Sequence, residues 1–201
     1  ILLAWTSGGL PPGFSALAAG RPEVERLAVV RGGQADLLAS RAADGTSVDA
    51  APSGWAFPLD VVAVAPADYA GFTVDRGDRA LIAALQPGQA LLTAASAELR
   101  RIGVGGTLEL RGGAVVVAGV VGDASGAESE LVIHVDDAER FGVGTERFVL
   151  MVHDPARRAE LDRALVDHAA PAPVHLRTPA DTARLRHGDS VVPVVQVKRT
   201  F

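Results

Sequence analysis

Few residues in this chain have the type and spacing to do chemistry. Five histidines occur, His134, His153, His168, His175 and His187. The densest donor set is His134 with Asp136 and Asp137, and strand spacing puts His134 and Asp136 on one face, as a metal site would need. Zinc sites combine several well-aimed ligands with partners behind them, and the sequence contains neither HExxH nor HxH. Each histidine therefore reads as a surface or hydrogen-bonded residue, and no metal ligand is assigned. Ser125, in Gly122-Asp123-Ala124-Ser125-Gly126, has no neighbouring base, and no GxSxG surrounds any serine. Lys198 is the sole lysine, and residue 195 is Val, so a Ser-x-x-Lys pair cannot form. The carboxylates are scattered, and spacing alone defines no acid–base pair. Gly103-Val104-Gly105-Gly106 follows a helix and precedes a strand. A phosphate loop needs strand, glycines, then helix, so that the helix N-terminus meets the anion. Gly142-Val143-Gly144 fails in the same way. No catalytic and no cofactor-binding residue is assigned.

The elements that would position a site centre on residues 90–123. Ala90–Thr93 reads as a short strand, followed by a helix capped by Ser96 and stopped at Gly103. Thr107–Arg111 alternates, with Leu108 and Leu110 on one face, the period of a half-buried strand. Gly112–Gly113 suits a tight hairpin turn, and Ala114–Val121 returns. Upstream, Thr6–Gly13 is a linker, Phe14–Ala19 a short helix, and Pro22 to Glu25 a helical turn. Leu27–Arg31 and Ala35–Arg41 read as a hairpin about Gly32–Gly33. Ala42–Pro58 reads as loop and Leu59–Ala65 as a buried strand. Pro66–Gly77 is irregular, pinned by Tyr69 and Phe72, and a helix follows over Arg79–Leu85. Downstream come a strand over Glu130–Val135, a short helix over Asp136–Phe141 and an apolar central strand over Phe148–His153. Asp154 caps a helix with Pro155 at its first position. Leu161, Leu165 and Ala169 form that helix's apolar stripe. Val174–Arg177 is a strand, Thr178-Pro179 opens a last helix to about Arg186, and Val191–Val197 is extended. Hairpins mixed with a late strand–helix–strand imply an α+β fold.

Composition narrows the function classes. Hydrophobic residues make up 48% and charged residues 21%, enough for a sizeable core. A net charge of −5 excludes a nucleic-acid surface, which needs a clustered positive field. There is no cysteine, so disulfide scaffolds and thiolate chemistry are excluded. No run of about 18 apolar residues occurs. Ile1-Leu2-Leu3-Ala4-Trp5 reads either as an N-terminal strand or as the outer end of a trimmed membrane anchor. Phe14, Trp55, Phe57 and Phe72 lie in loop-rich segments. They either plug the edges of the core or form an exposed apolar patch for a protein partner.

"ELRRIGVGGTLEL" followed by "VVVAGVVGD" resembles the periplasmic core domain of MacB/FtsX-type ABC-transporter permeases. Pro22-Glu23-Val24 fits the Pro-x-Val phrase that opens that domain, and Gly106 stands where the family usually has Asp. The resemblance implies an α+β domain of two lobes, with a mixed sheet and packed helices. The α/β lobe would take 1–80 and 146–201, and an inserted β-rich lobe would take 81–145. It further implies a non-catalytic extracytoplasmic domain of a membrane-anchored bacterial envelope protein. Such a domain would need no cofactor and would bind a protein partner in the envelope, or the parent's own other domains. Its membrane attachment would come through a flanking segment. The closing phrase VQVKRTF is similar to a junction that runs into D-alanyl-D-alanine carboxypeptidase-like zinc peptidases. That leaves an alternative, an accessory domain of a cell-wall peptidase. A third reading is a binding domain for a small envelope ligand.

Overall fold

The computed structural model describes residues 1–169 and 174–178. Its longest element is a single strand, β2, Val24–Arg41. The expected hairpin about Gly32–Gly33 is not formed; β2 runs straight through both glycines. They serve close approach rather than a turn. A Cβ on Gly32 would lie 2.8 Å from Arg147 Cδ, and one on Gly33 would lie 3.0 Å from the Gly142 carbonyl oxygen. Neither glycine has positive φ. The strand can therefore change neighbours along its length. Leu27–Gly32 pairs antiparallel with β9, Thr145–His153, and Val30–Leu37 pairs with β4, Phe57–Val64. Its end, Leu37–Arg41, pairs with β6, Thr107–Leu110.

This change of neighbours closes a ring. β4 pairs in parallel with β8, Leu131–His134. β8 meets β5, Gln89–Thr93, and β5 pairs in parallel with β7, Gly113–Val121. β7 then pairs with β6, which returns to β2. One residue in two along each strand points its side chain inward. Leu37, Leu59, Val61, Leu92, Leu108, Val117, Leu131 and Ile133 meet there in one cluster. Each such side chain contributes about 1.5–3 kcal/mol by leaving water.

Beyond β2 the sheet continues as an open wing. β9 pairs with β1, Leu2–Trp5, and β1 with β10, His175–Arg177. Leu2–Trp5 of the N-terminal pentad is thus a strand with a neighbour on each side. One face of the wing packs on α1, Phe14–Ala19, and α5, Arg158–Ala169, around Phe14, Met151, Leu161 and Leu165. The other face joins a second cluster under α2, Pro66–Ala70, and α3, Arg76–Ala83, with Tyr69, Phe72, Ile82 and Phe148 at its centre.

Several local expectations change. Pro22 and Glu23 form a turn and Glu25 already lies in β2, so no helical turn forms there. Ala42–Pro58 contains β3, Ser47–Ala50, which hairpins onto β2 through a turn with Gly45 at φ 84°. Pro66–Gly77 holds α2 and the start of α3, because Pro66 sits at an N-terminal helical position and Asp75 caps α3. The third helix therefore begins before Arg79. α4 spans Ala94–Arg100 after Thr93; Ser96 is buried inside it and caps nothing. Leu110 pairs with Gly113, so the turn residues are Arg111 and Gly112. The expected helix over Asp136–Phe141 is one short 3-10 turn, Val135–Asp137. The expectations for the Thr178–Arg186 helix and the Val191–Val197 strand fall outside the described residues beyond Thr178.

Strands from both expected lobes share the sheet. β4, within 1–80, pairs with β8 of 81–145, and β2 pairs with β6.

Candidate functional site

His134 and Asp136 lie together as strand spacing implies, but Asp137 does not join them. The Asp136 backbone N–H donates to His134 Nδ1 at 3.1 Å, which turns the imidazole into a cap for the short turn. The Asp136 carboxylate is exposed, and its Oδ2 lies 3.4 Å from the same His134 nitrogen. Asp137 turns the other way and is buried; its Oδ2 accepts the Gly88 backbone N–H at 2.6 Å. His153 meets the Asp154 carbonyl, and His175 stacks on Trp5 with ring centroids 4.7 Å apart. The His168 side chain and His187 lie outside the described residues. Among the described residues no group of three or more His, Asp and Glu is placed to hold a metal ion.

Ser125 lies in the loop after β7, where its carbonyl accepts the buried Tyr69 hydroxyl at 3.0 Å. Burial pushes the Tyr69 phenol far above its ordinary range. Gly105 and Gly106 dock on β7 by exchanging backbone bonds with Val117. Gly106 has no room for a side chain: a Cβ would lie 2.9 Å from both the Arg41 carbonyl oxygen and Ile102 Cγ2. Gly142-Val143-Gly144 is the connector that lies against Gly33. Of the four aromatic candidates, Phe14 and Phe72 are buried, Phe57 packs partly on the ring interior, and Trp55 is 73% exposed. Trp55 alone fits the exposed-patch reading.

One carboxylate is buried without being catalytic. Glu23, in the Pro22-Glu23-Val24 phrase, has a side chain with no solvent exposure. Arg157 Nη2 reaches it at 2.7 Å, and Arg21 forks onto it at 3.1 Å. Burial pushes its carboxyl up. The hydrogen bonds from its own backbone and from Arg21, with the charges of Arg157 and Arg21, outweigh that and hold it below the usual range. The triad ties the start of β2 to the start of α5.

A cleft of about 540 Å³ lies between the N-terminus of α3 and the 122–125 loop. Tyr69, Phe72, Val74 and Leu150 form its apolar walls. Thr73, Asp75, Arg76, Asp78 and Ser125 supply polar groups. Asp78 Oδ2 accepts the Gly122 N–H at 3.0 Å, which fixes the two walls relative to each other. The sequence marks Tyr69, Phe72 and Ser125 separately, and nothing in their spacing joins them into one cleft.

The architecture can now be compared with known structures. The periplasmic region of MacB from Actinobacillus actinomycetemcomitans superposes with a TM-score of 0.57, at 10% identity, over 94% of each chain. The extracellular domain of YknZ, a noncanonic ABC-type transporter from Gram-positive bacteria, superposes with a TM-score of 0.54 at 10% identity. That match covers 89% of this chain and 99% of the YknZ domain. The fold is that of the MacB periplasmic region. No family model matches the sequence, and no curated protein matches it. The MacB-like architecture is α+β, with a large mixed sheet and a few packed helices, as the residue 90–123 unit implies. Where the MacB-type motif carries Asp, Gly106 sits in a space that admits no side chain.

Proposed function

We propose that this chain is a non-catalytic extracytoplasmic interaction or structural domain of a membrane-anchored bacterial envelope protein. In this reading it is similar to the periplasmic core domain of MacB/FtsX-type ABC-transporter permeases. One observation carries the proposal. The MacB-like fold spans 94% of both chains, so the likeness is to a whole extracytoplasmic domain and not to a shared fragment. We further propose that 81–145 forms one lobe and 1–80 with 146–201 the other, with strands of both joined in one sheet. The VQVKRTF phrase behind the peptidase alternative lies outside the described residues, and no observation favours that alternative.

The absence of cysteine permits a clean test. Val104 is 63% exposed, so Val104→Cys in the full-length parent should react with a membrane-impermeant maleimide in intact spheroplasts. Labelling that appears only after lysis overturns the extracytoplasmic reading. The gene beyond codon 201 should encode an apolar run of about 20 residues.

A further inference from the structure

We propose that the face of the wing opposite α1 and α5 rests on an anionic phospholipid surface, with Arg26 and Arg177 holding the headgroups. The choice of a membrane as occupant rests on the membrane-anchored reading above; the charge pattern of the face does not.

Strand register assembles the face. Arg177, Leu3, Leu150 and Ala28 stand side by side across β10, β1, β9 and β2, and His175, Trp5, Phe148 and Val30 form the next row. Val152 stands opposite Arg26 on the far side of the first row. Residues directly opposite in antiparallel strands project to the same side of the sheet. α2 packs over β2, where Ala28 and Val30 are buried. Ile1, Leu3, Trp5 and Val152 pack against the same cluster but stay only half-buried. The other side of the wing is already closed by α1 and α5.

Charge selects the occupant. The chain carries a net charge of −5, yet these rows hold Arg26, Arg177 and His175 and no Asp or Glu. Arg26 lies over the Phe72 ring at 5.5 Å and Arg177 over the Trp5 ring at 5.7 Å. Neither arginine has a carboxylate partner among the described residues. Arg177 Nη1 and Trp5 Nε1 are enclosed donors that lack an acceptor altogether. An enclosed donor is costly until it is paired. An arginine stem is long enough to swing its fork out to a headgroup, and phosphodiester oxygens accept charge-assisted hydrogen bonds from that fork. Tryptophan and arginine around half-buried aliphatic side chains suit the headgroup level of a bilayer.

Topology favours a membrane over a protein as the anionic partner. β1 and β10 run antiparallel with Leu3 opposite Arg177, so Ile1 and Thr178 lie at one end of the wing. A membrane segment joined at either flank would hold that end, and with it this face, close to the bilayer. Proximity of that kind lets a few weak headgroup contacts suffice.

Sedimentation of the 201-residue chain with lipid vesicles at low salt tests the proposal. The probes are vesicles of phosphatidylcholine alone and vesicles mixed with phosphatidylglycerol. Only the mixed vesicles should carry the chain down, and added salt should release it. Each arginine at an anionic surface is worth about fivefold in partition, so Arg26→Gln with Arg177→Gln should weaken binding about 25-fold. Arg26→Lys with Arg177→Lys should keep it. Arg101→Gln with Arg163→Gln removes two exposed charges elsewhere and should also keep it. Brominated phosphatidylglycerol should quench Trp5 in the Trp55→Phe variant and leave Trp55 in the Trp5→Phe variant unquenched. No sedimentation, equal binding to both vesicles, binding that survives the double glutamine variant, or quenching of Trp55 alone would overturn the proposal. Polyglutamate binding at this face in place of vesicles would overturn it too, and would assign the face to an acidic protein segment. Success of the maleimide labelling with failure of the vesicle assay removes the lipid face alone. Labelling only after lysis, with vesicle binding intact, removes only the location of the domain.

Discussion

Glu23 is a carboxylate held away from solvent by two arginines, and its pH behaviour follows from that. Its folded carboxyl releases its proton more readily than an unfolded glutamate, whose ordinary value is 4.5. As pH falls below that value, the unfolded chain takes up the proton first. The stabilisation is complete above about pH 4.5 and is lost as pH drops through the lower folded-state value. Urea unfolding of wild type and Glu23→Gln should therefore differ most at neutral pH and converge in acid. A difference that does not shrink in acid would contradict this account. Gly106 and Gly33 make the complementary steric case. Gly106→Asp and Gly33→Ala each place a Cβ at about 3 Å from backbone atoms, and overpacking of this kind costs about 1–3 kcal/mol. Gly144 is exposed with open space around it, so Gly144→Ala should stay within about 0.5 kcal/mol of wild type. The resemblance located the departure at Gly106, but only packing against Arg41 and Ile102 explains it.

At the scale of elements, β2 separates two readings of the same residues. A glycine pair between two apolar runs reads as a turn in sequence, because glycine permits positive φ. Here the pair lies mid-strand and lets Arg147 and the 142–143 segment approach the backbone. Amide hydrogen exchange decides the matter: Gly32 and Gly33 should be protected to the same degree as Ala28 and Val30, whereas a turn would exchange orders of magnitude faster. One helix approach is legible in the sequence. Asp154 accepts the Ala156 N–H at 2.9 Å with Pro155 behind it, and it caps a short 3-10 turn, Pro155–Arg157, that leads into α5. Asp154→Ala should cost about 1 kcal/mol in urea unfolding. The Ser96 cap was misplaced because Thr93 already ends β5 one residue before the helix, which puts Ser96 inside the first turn.

At the scale of the molecule, the ring and the wing share β2, and this predicts cooperative unfolding. Leu131 lies wholly inside the ring, so Leu131→Ala should cost about 2–5 kcal/mol. The loss should appear equally in the wing. Trp5 reports on the wing and Trp55 flanks the ring, so the single-tryptophan variants Trp5→Phe and Trp55→Phe should unfold at the same urea midpoint. Two midpoints would mean that 81–145 unfolds as a unit of its own. The sequence by itself determined the local pieces: the 90–123 strand, helix and hairpin, the capped helix after Asp154, the apolar strand β9, and hence the α+β class. Those properties follow from side-chain period, caps and turn residues, which act over a few positions. Only the tertiary structure decided that β2 is unbroken, that six strands close on themselves, that His134 serves as a cap, and that Thr73 faces Ser125 across a cleft. Each of those depends on which distant strand lies alongside, and pairing between residues such as Leu37 and Leu110 leaves no periodic trace in either segment.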